Sequence, residues 1–271
     1  MISAHAPAGG SYEVHECVGE GSFGRVYRGR RRFTGQVVAL KYVPLAQKTR
    51  EDVDALRREI AILSRLDNPY IVRLLDHFET RSHLVLVTEF CHGNLFEVLL
   101  EDGPLPEATV RRVGAQLVAA LSYLADAGVM HRDLKPQNIL IGARSCCKLA
   151  DFGFARTLEQ GDLASSVRGT PFYMSPELLL QRPYDAGSDV WALCVLLYEL
   201  RAGVPPFNAP TFPALVEAIV SSDTASIAFP PETFSPQLRT FLQQGLVRDP
   251  RERATWAQLA AHPFLGDVVE E

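Results

Sequence analysis

Hydrophobic positions change their spacing about a third of the way along the chain. As far as residue 90, short stretches rich in valine and aromatic residues are separated by glycine-containing turns, and 14–19, 25–31, 36–43 and 84–90 read as strands. One helix interrupts them. In TREDVDALRREIAILSRL, Val53, Leu56, Ile60, Leu63 and Leu66 recur at steps of three and four, which lines one helical face. Thr49 is placed to cap that helix, with Asp52 three residues on. Beyond Gly93 the period turns helical, and 108–127, 188–201, 211–221, 235–245 and 256–261 read as helices. The pattern predicts an α+β, bilobal chain. A small strand-rich lobe with one key helix (12–88) connects through 89–93 to a larger helical lobe (94–264), with a disordered start (1–11) and a short tail (265–271).

Composition narrows the class. Hydrophobic residues make up 47% and charged residues 22%, enough apolar material for a sizeable core. A net charge of −5 argues against nucleic acid or anionic membranes as partners. The longest apolar run, 190–197, falls short of the ~20 residues that span a bilayer, so no membrane insertion is expected. The opening MISAHAPAGG lacks the apolar stretch of a secretory signal. Five cysteines without Cys-x-x-Cys spacing read as free thiols in a reducing compartment. A soluble, cytoplasmic protein is the expectation.

Candidate chemistry comes from five motifs in fixed order. Gly19-x-Gly21-x-x-Gly24-x-Val26 lets backbone N–H groups approach phosphates. Alone it is also a plain hairpin turn or a dinucleotide loop. A dinucleotide fold puts a helix after the last glycine, whereas 25–31 reads as a strand. Val38-Ala39-Leu40-Lys41 places a lysine in an apolar strand, and Glu59 interrupts the apolar side of the following helix. An ion pair between them would aim Lys41 at the α- and β-phosphates, while ordinary solvated charges are the plain alternative. In His131-Arg132-Asp133-Leu134-Lys135-Pro136-Gln137-Asn138, Asp133 suits a hydroxyl-orienting base and Asn138 a magnesium ligand. Asp151-Phe152-Gly153, a turn if met alone, supplies a second magnesium ligand in Asp151. Ser175-Pro176-Glu177 closes the series. Phosphoryl transfer needs a phosphate cradle, a cation, two metal ligands and a base, and the chain carries each once.

From about Tyr12 to Phe264 the sequence resembles the eukaryotic protein kinase family, which implies ATP and Mg2+ as cofactors and proteins as substrates. Lys135 and Gly169-Thr170-Pro171 resemble the serine/threonine branch. The resemblance implies Thr88 as gatekeeper, Glu89 to Cys91 as adenine hinge, and Val26, Ala39 and Leu140 around the adenine, with Val18 also in the nucleotide site. It further implies a spine of Leu63, Leu74, His131 and Phe152, an anchor for the catalytic loop in Asp189, and a Glu177–Arg253 pair. GEGSFGRVYRGRR, KPQNILI, DFGFAR and GTPFYMSPELL look like the Fused kinases, which implies roles in signalling, cilia or the cytoskeleton through partners bound outside this chain. A kinase-fold scaffold is the alternative, but it would have lost a phosphate, metal or base residue, and Lys41, Asp133, Asn138 and Asp151 are all present.

Some positions depart from the family. Asn94 and Gln137 stand where arginine-directed kinases carry glutamates, and Cys194 replaces the usual glycine after Trp191-Ala192-Leu193. Regulation is expected at Ser166, three residues before Gly169, with Ser165 as its rival. Arg132 and Arg156 would grip the phosphate, and Thr170 would instead bond Asp133 and Lys135.

Overall fold

The computed structural model describes residues 11–21, 24–46, 48–152, 156–157, 171–221 and 227–266. They divide into two compact units. The first takes the chain as far as His92 together with Gly142–Lys148, and the second comprises Gly93–Ile141 and the chain from Leu149 onward. The reading from sequence places all of 94–264 in the second lobe; the structure returns 142–148 to the first.

The first unit is built on a five-stranded antiparallel sheet. Its strands are β1 (Tyr12–Gly21), β2 (Gly24–Arg31), β3 (Val37–Pro44), β4 (Leu74–Glu79) and β5 (His83–Glu89), in the order β1-β2-β3-β5-β4. Side chains alternate across such a sheet, so one face collects Val38, Leu40, Val85 and Val87, which pack with Tyr12 into a buried core. Helix α1 (Arg50–Leu63) follows β3. Thr49 and Asp52 close its N-terminus reciprocally, Asp52 N–H donating to Thr49 Oγ1 at 3.2 Å and Thr49 N–H to Asp52 Oδ2 at 2.9 Å. The predicted apolar stripe is buried at Leu56, Ile60 and Leu63, and Glu59 is buried among them.

The second unit is helical: α2 (Leu95–Asp102), α3 (Glu107–Asp126), α4 (Pro176–Leu179), α5 (Gly187–Ala202), α6 (Phe212–Ser221), α7 (Pro236–Gly245) and α8 (Trp256–Ala260). Short strands β6 (Val129–Met130), β7 (Ile139–Ile141), β8 (Cys147–Leu149) and β9 (Arg156–Thr157) lie between α3 and α4 in the chain, with β6 antiparallel to β9; the first two residues of β8 belong to the first unit. Helix α5 is the centre: Val190 to Leu197 are all buried, as suits a helix apolar on every side. Its Cys194 is fully buried, and a Cβ added at Gly245 would lie 2.2 Å from Cys194 Sγ. The glycine at the end of α7 therefore makes room for the thiol. Cys194 thus serves packing.

Glu177 and Arg253 form the expected pair inside this unit. Arg253 Nη1 and Nη2 meet the two Glu177 oxygens at 2.8 and 3.0 Å, and Ser188 Oγ donates to Glu177 Oε1 at 2.7 Å. Arg253 also donates to the carbonyls of Gly187 and Val247, so the buried charges are fully bonded. Burial pushes the Glu177 carboxyl up, but Arg253 and Ser188 outweigh it and hold the group below its ordinary value of 4.5.

Candidate active site

Each unit carries its own set of candidate groups. In the first, strand β2 begins at the last glycine of the motif, with Gly19 opposite Val26 and Gly21 opposite Gly24. This is a hairpin, and the strand excludes the helix that a dinucleotide loop needs. Gly24 has φ +142°, and a Cβ there would lie 2.0 Å from the Tyr42 carbonyl oxygen, so the close approach of β3 demands glycine. Cross-strand register puts Lys41 between Val26 and Leu86, and Ala39 between Arg28 and Thr88. With side chains alternating, Val26, Ala39, Lys41 and Thr88 share the face opposite the Val38–Leu40 core. Val18 is 48% exposed. Lys41 Nζ lies 3.9 Å from Glu59 Oε1, with Glu59 only 5% exposed. That burial removes the surface-charge reading of Glu59, since an acid so placed needs a cation.

The connection beyond β5 is more tightly held than its sequence suggests. Glu89 N–H donates to the Arg73 carbonyl at 3.1 Å, and the Glu89 carboxylate accepts from Arg73 N–H at 2.9 Å. Lys148 Nζ reaches the same oxygen at 2.8 Å. Cys91 is half-buried, and burial pushes its thiol up to about 11. None of the five cysteines is in a disulfide.

In the second unit, Asp189 on α5 anchors the loop after β6. Its two carboxylate oxygens accept the N–H groups of His131 at 2.8 Å and Arg132 at 2.9 Å. Arg132 is thereby held in the left-handed region at φ 70°, an unfavourable geometry that these bonds fix. Burial pushes the Asp189 carboxyl up, against the pull of His131 and the two N–H groups. His131 Nδ1 receives Asp133 N–H at 3.4 Å and its Nε2 meets the Ala150 carbonyl at 3.0 Å, so one tautomer, with the proton on Nε2, serves both bonds. Its ring meets Phe152 edge-on at 5.0 Å.

These contacts set out the reacting groups. Asp133 Oδ2 accepts from Lys135 Nζ at 2.7 Å and from Asn138 Nδ2 at 2.8 Å. Asn138 Nδ2 also donates to the Asp133 carbonyl at 2.8 Å. One Asp133 oxygen is thus held by two donors, and among the described residues Oδ1 has no such bond. Asn138 has committed its amide nitrogen twice, leaving Oδ1 as its ligating atom. The Ala150 N–H donates to the Asn138 carbonyl at 2.9 Å, which ties the two candidate metal ligands together, and Asp151 follows at φ 64°. Among the described residues no three His, Cys, Asp or Glu side chains form a metal cage. Two hard oxygen donors, the Asn138 amide oxygen and the Asp151 carboxylate, suit Mg2+, which keeps waters and takes remaining ligands from phosphate.

Leu140 is half-buried in β7, bridged to Asn94. Asn94 Oδ1 caps α2, accepting the N–H groups of Phe96 and Glu97 at 3.0 Å each. Arg132 lays its guanidinium over the Tyr184 ring at 5.0 Å. Arg156 lies in β9 opposite Met130. Ser165, Ser166 and Thr170 lie outside the described residues. Sequence reasoning misses Lys148 as the partner of Glu89, and it misses the hydrogen bond that Tyr173 donates to Glu199.

The protein kinase domain family matches residues 12–265. The chain belongs to the protein kinase family. Among its relatives are Serine/threonine-protein kinase 36 of Pongo abelii, 46% identical over 95% of this kinase, and Serine/threonine-protein kinase TIO of Arabidopsis thaliana, 47% identical over 96%. Serine/threonine-protein kinase fused of Drosophila melanogaster is 41% identical over 94%. The kinase chain spans 19% of the length of the first two relatives and 31% of the third. All three relatives are named as serine/threonine-protein kinases, and the third is named fused.

Proposed function

We propose that this chain transfers the γ-phosphoryl group of ATP to serine or threonine hydroxyls of protein substrates. The observation that carries the reading is Asp133, one oxygen pinned by Lys135 and Asn138 and the other left to take a substrate hydroxyl. As the hydroxyl oxygen bonds to the γ-phosphorus, the bond from that phosphorus to the β–γ bridging oxygen breaks and ADP leaves. Asp133 orients the hydroxyl and accepts its proton. Lys135, 2.7 Å from Asp133, offers positive charge as the transferred group takes on negative charge. Lys41, held by Glu59, suits the α- and β-phosphates, and the β1–β2 hairpin suits the phosphate cover. Asn138 and Asp151 would hold Mg2+, which when bound neutralises phosphate charge. A scaffold reading has no observation in its favour, since Lys41, Asp133, Asn138 and Asp151 all remain.

From the Fused resemblance of the sequence we infer a signalling, ciliary or cytoskeletal role, in the cytoplasm and at cilia, with protein partners bound outside this chain. The catalytic reading is tested by incubating the chain with γ-labelled ATP, Mg2+ and a generic protein substrate, then separating the labelled amino acids. Label on serine and threonine supports the proposal; label confined to tyrosine, or none, refutes it.

A further inference from the structure

The segment 142–148 is the one stretch of later chain that joins the first unit, and its geometry is directed at one residue. Gly142 N–H donates to the Cys146 carbonyl at 2.8 Å, closing a tight loop. Within it Arg144 and Ser145 take φ of 55° and 56°, a left-handed conformation that side chains disfavour and that surrounding contacts must hold. Cys146 Sγ–H reaches back to the Pro69 carbonyl at 3.7 Å. The loop delivers Lys148, whose stem runs over Gly142: a Cβ there would lie 3.1 Å from Lys148 Cγ. Its ammonium then meets Glu89 Oε1 at 2.8 Å, with the two side chains 14% and 28% exposed. The same oxygen already accepts Arg73 N–H, and Glu89 N–H is bonded to the Arg73 carbonyl. Glu89 is therefore held from two sides, by the backbone before β4 and by a charged latch from a loop 59 residues later in the chain.

We infer that Lys148 is a positioning residue for the nucleotide. It fixes the carboxylate of Glu89, and through it the backbone of 89–91, in the place from which that backbone meets adenine. The inference rests on the proposed kinase activity and on Glu89 and Cys91 belonging to the nucleotide site. Lys148 acts through Glu89 and need not touch the nucleotide. A hinge already in place spends no binding energy on ordering, so the latch acts on affinity before it acts on rate. A half-buried lysine with only a structural role would change stability and leave ATP affinity alone.

The test compares wild type, Lys148→Met, Lys148→Arg and Glu89→Gln in the full chain. ATP affinity is read by displacement of a fluorescent ATP analogue with Mg2+ present, and KM for ATP and kcat by steady-state phosphorylation of a generic protein. Lys148→Met and Glu89→Gln should each weaken ATP binding and raise KM about fivefold, with kcat within about twofold of wild type. Lys148→Arg, which keeps the charge, should stay within about twofold in both. Should Lys148→Met melt below assay temperature, Glu89→Gln and Lys148→Arg decide the matter, because Glu89→Gln keeps an oxygen for Arg73 N–H and removes only the charge. Unchanged ATP affinity in the neutral variants, or a fall in kcat at constant KM, overturns the latch. A wild type that binds ATP but transfers no phosphate overturns the proposed function and leaves the affinity comparison standing. A wild type that does not bind ATP overturns both.

Discussion

Asp133 and Asp189 show how neighbours divide the work between two aspartates of one loop system. Asp189 is saturated by the N–H groups of His131 and Arg132 and serves as structure. Among the described residues Asp133 is held at one oxygen, by Lys135 and Asn138, and so keeps acceptor capacity for a substrate. The other residue pair with a defined task is Lys41 and Glu59. At 3.9 Å the contact is long for an ion pair, yet Glu59 is 5% exposed, a burial that favours a nearby cation. In a double-mutant cycle read by ATP affinity, Lys41→Met and Glu59→Gln should couple by about 0.5–3 kcal/mol. Additivity within about 0.3 kcal/mol would show that the two act separately. These residues were legible in the sequence because their motifs hold fixed steps. Lys148 was not, because its partner Glu89 lies 59 positions earlier and a lysine within Cys-Cys-Lys-Leu-Ala carries no local sign of it.

At the scale of elements, the long periodic segments were legible and the short ones were not. α1, α3 and α7 follow apolar spacing that local sequence displays, α5 shows as a continuous apolar run, and their ends shift by a residue or more where capping decides them. β4 was missed because Leu-Leu-Asp-His-Phe-Glu alternates poorly, and its strand character comes from pairing with β5. The fit of α7 on α5 was equally hidden, being a match between Gly245 and Cys194 on different helices. Gly245→Ala should destabilise the fold by about 1–3 kcal/mol through overpacking, and adding Cys194→Ala should recover most of it. Urea denaturation checks this; a loss that persists in the double variant would mean that the strain lies elsewhere. Arg253→Met should cost about 3–5 kcal/mol by leaving Glu177 buried and unpaired. The pH dependence has a definite sign. In wild type the Glu177 carboxyl lies below its ordinary value of 4.5, so its contribution is present above that pH and is lost as pH falls through the lowered value. In the variant burial is opposed only by the Ser188 and backbone hydrogen bonds, so the carboxyl lies higher than in wild type and its protonation relieves the buried charge as pH falls. The stability gap between the two should therefore narrow as pH falls from 7 toward 4.5; a gap that widens would contradict the pairing.

Across the whole molecule, each of the two units carries its own candidate groups, and the segment from 158 to 170 carries the expected control point. Ser166 is the proposed phosphosite, a proposal that rests on sequence position and on the proximity of Arg132 to Asp133 in the chain. Arg132 stacks on Tyr184, an interaction of modest strength that a phosphate is able to displace. Phosphatase treatment should lower the rate of an active preparation of wild type and of Ser165→Ala, and should leave Ser166→Ala unchanged at a low rate. If Ser166→Ala keeps full phosphatase-sensitive activity, the serine is wrongly chosen. Beneath regulation lies the claim that Asp133 is the base of a working phosphotransferase. The most direct measurement is the rate of phosphate transfer by Asp133→Asn beside its ATP affinity, both against wild type with Mg2+. The account predicts ATP affinity within about twofold and a rate reduced well beyond tenfold, more than about 1.4 kcal/mol of barrier. A variant that keeps over about a tenth of the wild-type rate would contradict it.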